Sequence, residues 1–235
     1  MRFAYFLSFF DTAQPTREIG AEDIAQVAEL IEATPGLTRG LLFAGVQSVA
    51  KYYPNDDAPP QLAMELYFDA IEDLEGALAK DGHLQGLLGT EAVKSLAGAK
   101  VEQQAMVVRR FKDTVPESEE DKTYCSYLVH YPGKAEDLNV WLDYYLRNHT
   151  AVMQDFPGIR EIEVCSRLDW IGFLPWPRVN YMQRNKIAFK TVEGLMAAIE
   201  SPVRARMSAD FAQFPAFEGG NCHYALQTRE ILPGR

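Results

Sequence analysis

Leu66-Tyr67-Phe68-Asp69-Ala70-Ile71-Glu72-Asp73-Leu74 runs from an apolar strand-like stretch into a helical start. Ile187-Ala188-Phe189-Lys190-Thr191-Val192-Glu193-Gly194-Leu195 repeats the pattern 121 positions later. At the neighbouring offset of 122, Thr34-Pro35-Gly36-Leu37 answers to Phe156-Pro157-Gly158-Ile159. In both, an amphipathic segment stops at Pro-Gly and an apolar strand begins. Phe3 to Phe10 sets against Tyr124 to Tyr131 at the first offset. Three correspondences at nearly one spacing read as a single unit written twice.

Between the copies, Asp113-Thr114-Val115-Pro116-Glu117-Ser118-Glu119-Glu120-Asp121 holds five acids and one apolar residue besides proline. Such a segment buries too little surface to offset its ordering entropy, so it reads as a linker. The chain is expected to divide into repeat 1 at 1–112, an acidic linker at 113–122 and repeat 2 at 123–235. Repeat 1 and the linker are acidic while repeat 2 is balanced. Repeat 2 therefore has relatively more cation to offer an anionic substrate, and a neutral solvated surface accounts for it equally well.

Repeat 2 is the clearer copy. Thr123 to Tyr131 is rich in Tyr, Val and Leu and stops at Pro132-Gly133, a strand followed by a turn. From Ala135 to Asp155 the spacing of Leu138, Trp141, Leu142, Tyr145, Leu146 and Val152 predicts a helix with one apolar stripe. Ile159 to Trp170 alternates, with Ile162 and Val164 on one face and Glu161 and Glu163 on the other. Val179 to Phe189 is a third strand and Thr191 to Glu200 a second helix. Pro202 suits the first turn of another helix, and Asn221 to Ile231 is the last strand. This βαββαβ order is the ferredoxin-like unit, an antiparallel sheet with both helices on one face. The expected fold class is α+β: two tandem ferredoxin-like repeats whose sheets pack face to face as an α+β barrel. The space between the sheets is then the expected small-molecule cavity.

The 235 residues are 47% hydrophobic and 24% charged, with apolar mass enough for a core. No apolar run reaches the roughly 18 residues of a membrane span, and the N-terminus has no small-residue cleavage site of a signal peptide. A net charge of −10 argues against nucleic acid, whose phosphates demand cations. Cys125, Cys165 and Cys222 lie far apart, without CxxC or zinc-knuckle spacing, and suit a reducing cytoplasm. No GxGxxG after a strand, P-loop, HExxH or GxSxG occurs, so neither a cofactor nor a metal is expected.

Repeat 2 also resembles the EthD family of the dimeric α+β barrel superfamily. The likeness rests on His130-Tyr131-Pro132-Gly133 after strand one, Tyr144-Tyr145-Leu146-Arg147-Asn148-His149-Thr150 on the helix, and Phe156-Pro157-Gly158-Ile159-Arg160. In repeat 1, Val27 stands in the place of His149 and Phe9 in that of His130. The resemblance implies a tandem, fused version of the barrel. Relatives of that barrel include cofactor-free oxygenases, muconolactone-type isomerases, polyketide cyclases and heme enzymes.

Histidine titrates nearest neutral pH, so His149, His130 and His223 are the expected catalytic residues. His149 lies late in its helix, where it could also serve the negative end of the helix dipole. His130 and Tyr131 are strand neighbours, so only one of them can enter the cavity. His223 shares a face with Gln227 and Arg229, which meets either water or a polar cavity. On strand three, Ala63, Glu65 and Tyr67 align with Arg184, Lys186 and Ala188. If that face points between the sheets, Arg184 can hold a carboxylate bidentately; otherwise it forms a salt bridge in solvent. The loop Trp170-Ile171-Gly172-Phe173-Leu174-Pro175-Trp176-Pro177-Arg178 suits a lid over an aromatic substrate or a subunit interface. Its match in repeat 1 is the polar Asn55-Asp56-Asp57 region. The expected substrate-binding set is Arg184, Tyr131, Tyr145, Trp176, Arg178 and Arg229. His83 reads as a loop residue.

The function these features suggest is a cofactor-free enzyme of bacterial-type catabolism of aromatic-derived small molecules. It would move protons on an unsaturated carboxylic acid, as an isomerase or an ester or lactone hydrolase. One alternative is a cofactor-independent monooxygenase acting on a phenol, and another is a non-catalytic binding protein. The expected partner is a small anionic, conjugated molecule, with a homodimer possible and neither nucleic acid nor membrane involved.

Overall fold

Eight segments form antiparallel strands, and the chain closes them into one barrel. The computed structural model describes residues 2–45, 58–114 and 116–233. Asn55-Asp56-Asp57, matched above to the Trp-rich loop, lies outside the described residues. In chain order the first half contains β1 (Phe3–Phe10), α1 (Ala21–Glu32), β2 (Leu37–Gly45), β3 (Leu62–Phe68), α2 (Ile71–Ala77), α3 (Glu91–Ser95) and β4 (Lys100–Lys112). The second contains β5 (Thr123–Tyr131), α4 (Leu138–Tyr144), α5 (Thr150–Met153), β6 (Ile159–Arg167), β7 (Gln183–Phe189), α6 (Val192–Glu200), α7 (Val203–Phe211) and β8 (Cys222–Ile231).

Around the barrel the order is β1-β3-β2-β8-β5-β7-β6-β4, with β4 returning to β1. Taken by halves, this is β4-β1-β3-β2 and β8-β5-β7-β6, one ferredoxin-like order used twice. The sheets are joined at both seams, β2 to β8 and β4 to β6, which removes their open edges. No helix among the described residues is long and apolar enough to cross a membrane.

The ladders fix the correspondence between halves. Phe6 pairs with Glu65 and Leu128 with Lys186, so Phe6 and Leu128 are counterparts, as are Ser8 and His130. The offset in strand one is therefore 122, and a slip of one residue reverses the face. Phe9 is the counterpart of Tyr131, not of His130 as the sequence alignment had it. Each half also carries the same bulge, between Leu37 and Arg39 and between Ile159 and Glu161. The Pro-Gly turns agree as well, with φ of 73° at both Gly36 and Gly158, where glycine avoids the penalty of a Cβ.

Outward strand faces pack beneath the helices. In the first half Tyr5, Leu7, Met64 and Leu66 meet Val27, Ile31 and Leu74. In the second, Tyr131, Ile187 and Phe189 meet Trp141, Tyr145 and Leu195. Burying each such large side chain stabilises the fold by about 1.5–3 kcal/mol.

The inward faces are filled. Phe6, Leu41, Phe43, Tyr67, Met106 and Leu128 form a third core, and charged side chains are buried among them. Lys186 Nζ lies 3.5 Å from Glu65 Oε2 and 3.4 Å from Glu161 Oε2, while Arg39 bonds Glu161 at 2.7 Å and Glu230 at 2.8 Å. Buried charge persists only when paired in this way. On β6 the predicted alternation holds, but it is the acidic face, Glu161 and Glu163, that points inward. Two further expectations need correcting: the space between the sheets is packed with side chains, and β6 ends at Arg167 while β7 starts at Gln183. The residues between those strands cross to the first half, where Phe173 N–H donates to Leu78 O and Val179 N–H to Gln103 O.

Candidate active site

Asp137 starts α4 by accepting the N–H groups of Asn139 and Val140 at 2.8 and 3.2 Å, an N-cap. After Tyr144 the helix loosens into a π turn, Tyr145–His149, before α5 resumes. A π turn inserts an extra residue in the helical ring and re-aims the side chains around it. Here Tyr145 and His149 are buried while Arg147 and Asn148 stay exposed.

His149 Nδ1 lies 2.6 Å from Asp210 Oδ2, on α7. The other oxygen of Asp210 accepts the Tyr144 hydroxyl at 3.0 Å. The rings of Tyr145 and Phe214, each 4.8 Å from the imidazole, hold it from two sides. A carboxylate at Nδ1 places the proton there and leaves the lone pair on Nε2. Burial lowers the His149 pKa below its ordinary value, with the hydrogen bond and charge of Asp210 opposing. The neutral imidazole is thus the resident form near neutral pH.

His149 is part of the wall of a cavity of about 300 Å³ between the outer faces of β5, β7 and β8 and the second-half helices. Val129, Ile187, Phe189, Met153, Leu195, Ile199, Met207 and Phe211 make most of the lining apolar. The polar residues are few: His149, Asn185, His223, Ser208, Asn221, Tyr127 and Arg204. Asn185 donates to the Tyr145 hydroxyl and accepts from Gln183 Nε2 at 2.9 Å, which fixes its orientation. His223 stacks on Tyr127 with centroids 5.6 Å apart. A mostly apolar cleft with a few convergent polar groups is the usual form of a small-molecule site. Among the described residues, the corresponding place in the first half is filled by packed side chains. Val27 and Met64 replace His149 and Asn185 there, both fully buried, and Leu174 and Trp176 pack over the same core.

Of the predicted site residues, His149 and His223 line the cavity, and Tyr145 stands directly behind it. The others are placed elsewhere. His130 points into the barrel, 2% exposed, between the rings of Tyr181 and Tyr224. Its neighbour Arg184, across the β5–β7 ladder, faces the same interior and stacks on Phe6 and Tyr181. Neither reaches the cavity, so Arg184 is not its carboxylate clamp. Tyr131 belongs to the aromatic cluster of Trp141, Tyr145 and Phe217. Trp176 packs edge-on against Phe9, and Arg178 lies over Trp170, so the loop neither closes this cavity nor faces outward as a whole. Arg229 is exposed on the outer face of β8.

Sequence reasoning missed Asp210, Tyr144 and Asn185. His149 is also the cavity group best able to ligate a metal, because its other nitrogen is held by a carboxylate. Among the described residues, the cluster with ligand spacing is Glu65, Glu163 and Cys165 inside the barrel. The Lys186 ammonium already sits beside those carboxylates.

No family model and no curated protein matches the chain. Solved structures do. An anthrone oxidase-like protein superposes on 100% of this chain and 97% of its own, with 14% identity and a TM-score of 0.59. A protein of Lactobacillus acidophilus NCFM, provisionally named a monooxygenase, covers 100% and 98% at 13% identity and 0.53. An EthD-family protein of Bacillus halodurans C-125 aligns with 42% of this chain at 0.34, too slight a likeness to bear on the argument. At these identities what is shared is the fold: an α+β barrel of ferredoxin-like halves.

Proposed function

We propose that the protein is a cofactor-free enzyme that removes a proton from a mainly apolar, ring-bearing small molecule, with His149 as general base. The observation that carries this reading is the His149–Asp210 pair at 2.6 Å on the wall of an apolar cavity. Asp210 fixes the tautomer and stabilises the imidazolium that forms. Asn185 lines the same cavity, and its second amide N–H would donate to the oxygen of the resulting enolate or phenolate. Such an anion is electron-rich enough to react with dioxygen directly. For an activated ring CH2 the balance is one O2 consumed and one H2O released as CH2 becomes C=O, with no outside reductant. The names of the anthrone oxidase-like and monooxygenase-named structures favour this outcome over the isomerase or hydrolase of the sequence reading.

A second reading keeps the unsaturated acid as substrate. Arg204 lines the cavity and takes the role first given to Arg184. Proton return to another carbon would then give isomerisation with no oxygen consumed. An oxygen electrode separates the two, using polycyclic phenols, activated ring methylenes and unsaturated acids as substrates. The first reading expects stoichiometric uptake that His149→Ala abolishes, with no Soret band in the purified protein. Turnover without uptake selects the second, and turnover unaffected by His149→Ala sinks both.

A further inference from the structure

The chemistry proposed for the cavity leaves the barrel interior unused, and that interior is where buried charge concentrates. The ladders give each inward residue a counterpart in the other half. Arg39 and Glu161 both follow the shared bulge, opposite Tyr67 and Ala188. Glu65 and Lys186 occupy one position on β3 and β7, opposite Phe6 and Leu128. Arg110 faces Glu163 across one seam and Glu230 faces Leu41 across the other, which makes those two counterparts. In all three pairs the sign is reversed between halves.

Two of the pairs also touch. Arg39 reaches Glu161 at 2.7 Å, and Lys186 reaches Glu65 at 3.5 Å. A residue in contact with its own counterpart lies on the twofold axis that relates the halves. At such a position two identical halves would bring like charges together. Two copies of the first half would set Arg39 on Arg39 and Glu65 on Glu65, and two copies of the second would oppose Glu161 and Lys186 to themselves.

We infer that the inner face of each half is an interface built to accept the unlike half and to reject a like one, the choice being made by charge reversal on the internal twofold axis. Stability alone does not call for this arrangement, since apolar residues of similar volume serve a buried interface as well or better. What the reversal adds is selection against the wrong partner. The flanking contacts follow the same rule: Arg39 with Glu230 at 2.8 Å and Arg110 with Glu163 at 3.2 Å each join a first-half cation to a second-half acid.

The test is an exchange on the axis in the full chain: Glu65→Lys, Lys186→Glu, and both together, followed by thermal unfolding. Each single change sets like charges on the axis and is expected to lower the midpoint by about 10 °C or more. The double change restores an unlike pair in reversed orientation and is expected to recover at least half of the larger loss. A double variant no more stable than the worse single overturns the inference, as do single variants that leave the midpoint unmoved. If neither single variant folds, folding of the double supports the inference and its failure overturns it.

Discussion

Asp210 Oδ2 meets His149 Nδ1 at 2.6 Å across 61 positions of chain. The carboxylate supplies both the tautomer and the charge that stabilises the imidazolium. Asp210→Asn keeps the size of the side chain but removes the charge. Steady-state kinetics should show kcat/KM falling at least tenfold, with the circular dichroism spectrum unchanged. Tyr144→Phe, which removes only the hydroxyl bonded to the other carboxylate oxygen, should cost less.

The order of elements was legible because Pro-Gly turns and apolar periodicity are local signals. His149 was legible through its motif late in a helix. Its partner was not, because Asp210 lies on α7, a short helix whose mixed, mostly exposed residues mark no position for an acid. Nor could alternation on β6 say which face was inside. Polar side chains usually face water, whereas Glu161 and Glu163 turn inward to partners on other strands. His130 faces the space between the sheets, as the sequence reading required, but that space is filled by side chains and the cavity lies on the outer faces of β5, β7 and β8. Strand alternation fixes which residues share a face and does not say which face borders a cavity.

The pH dependence follows from the lowered pKa of His149. Its native form gives up the proton at a lower pH than the unfolded chain, whose histidine titrates near about 6.5. Between those values the unfolded state binds more protons, so this group's contribution to stability is present above about 6.5 and declines as pH falls. The base is active in the same neutral form. A profile of log kcat/KM against pH should bend downward only below about 6.5, and a bend above that value would show that a different group is titrating.

Glu65 and Glu163 sit beside one ammonium, that of Lys186, yet their carboxyl groups are shifted in opposite directions. Burial raises the Glu65 pKa well above the ordinary range. Burial acts the same way on Glu163, but Lys186 above all, with Arg110 and Arg39, outweighs it and holds the pKa at about 2. Glu163 therefore adds stability that is full above about 4.5 and is lost as pH falls toward 2. Glu65→Gln leaves Lys186 its contacts with Glu161 and Glu163 and should cost about 1 kcal/mol. Glu163→Gln leaves buried cations underpaired and should cost about 3 kcal/mol at neutral pH. Urea unfolding of both variants at pH 7 and pH 4 checks the contrast.

The twin turns give a purely steric prediction. Alanine at Gly36 or at Gly158 suffers the same left-handed strain, about 1–2 kcal/mol. At Gly36 the added Cβ would also fall 2.6 Å from Asp73 Cβ, while at Gly158 nothing lies within 4 Å. Gly36→Ala should be the more destabilising of the two in thermal unfolding.

The most direct measurement follows proton removal itself. A phenolic or activated-methylene substrate is mixed with enzyme under anaerobic conditions, and the absorbance of its anion is recorded by stopped flow. The wild type and His130→Leu should form the anion at similar rates, because His130 is enclosed in the barrel. His149→Ala should form it at least about 100-fold more slowly. Equal rates for the wild type and His149→Ala would contradict the assignment of His149 as the base.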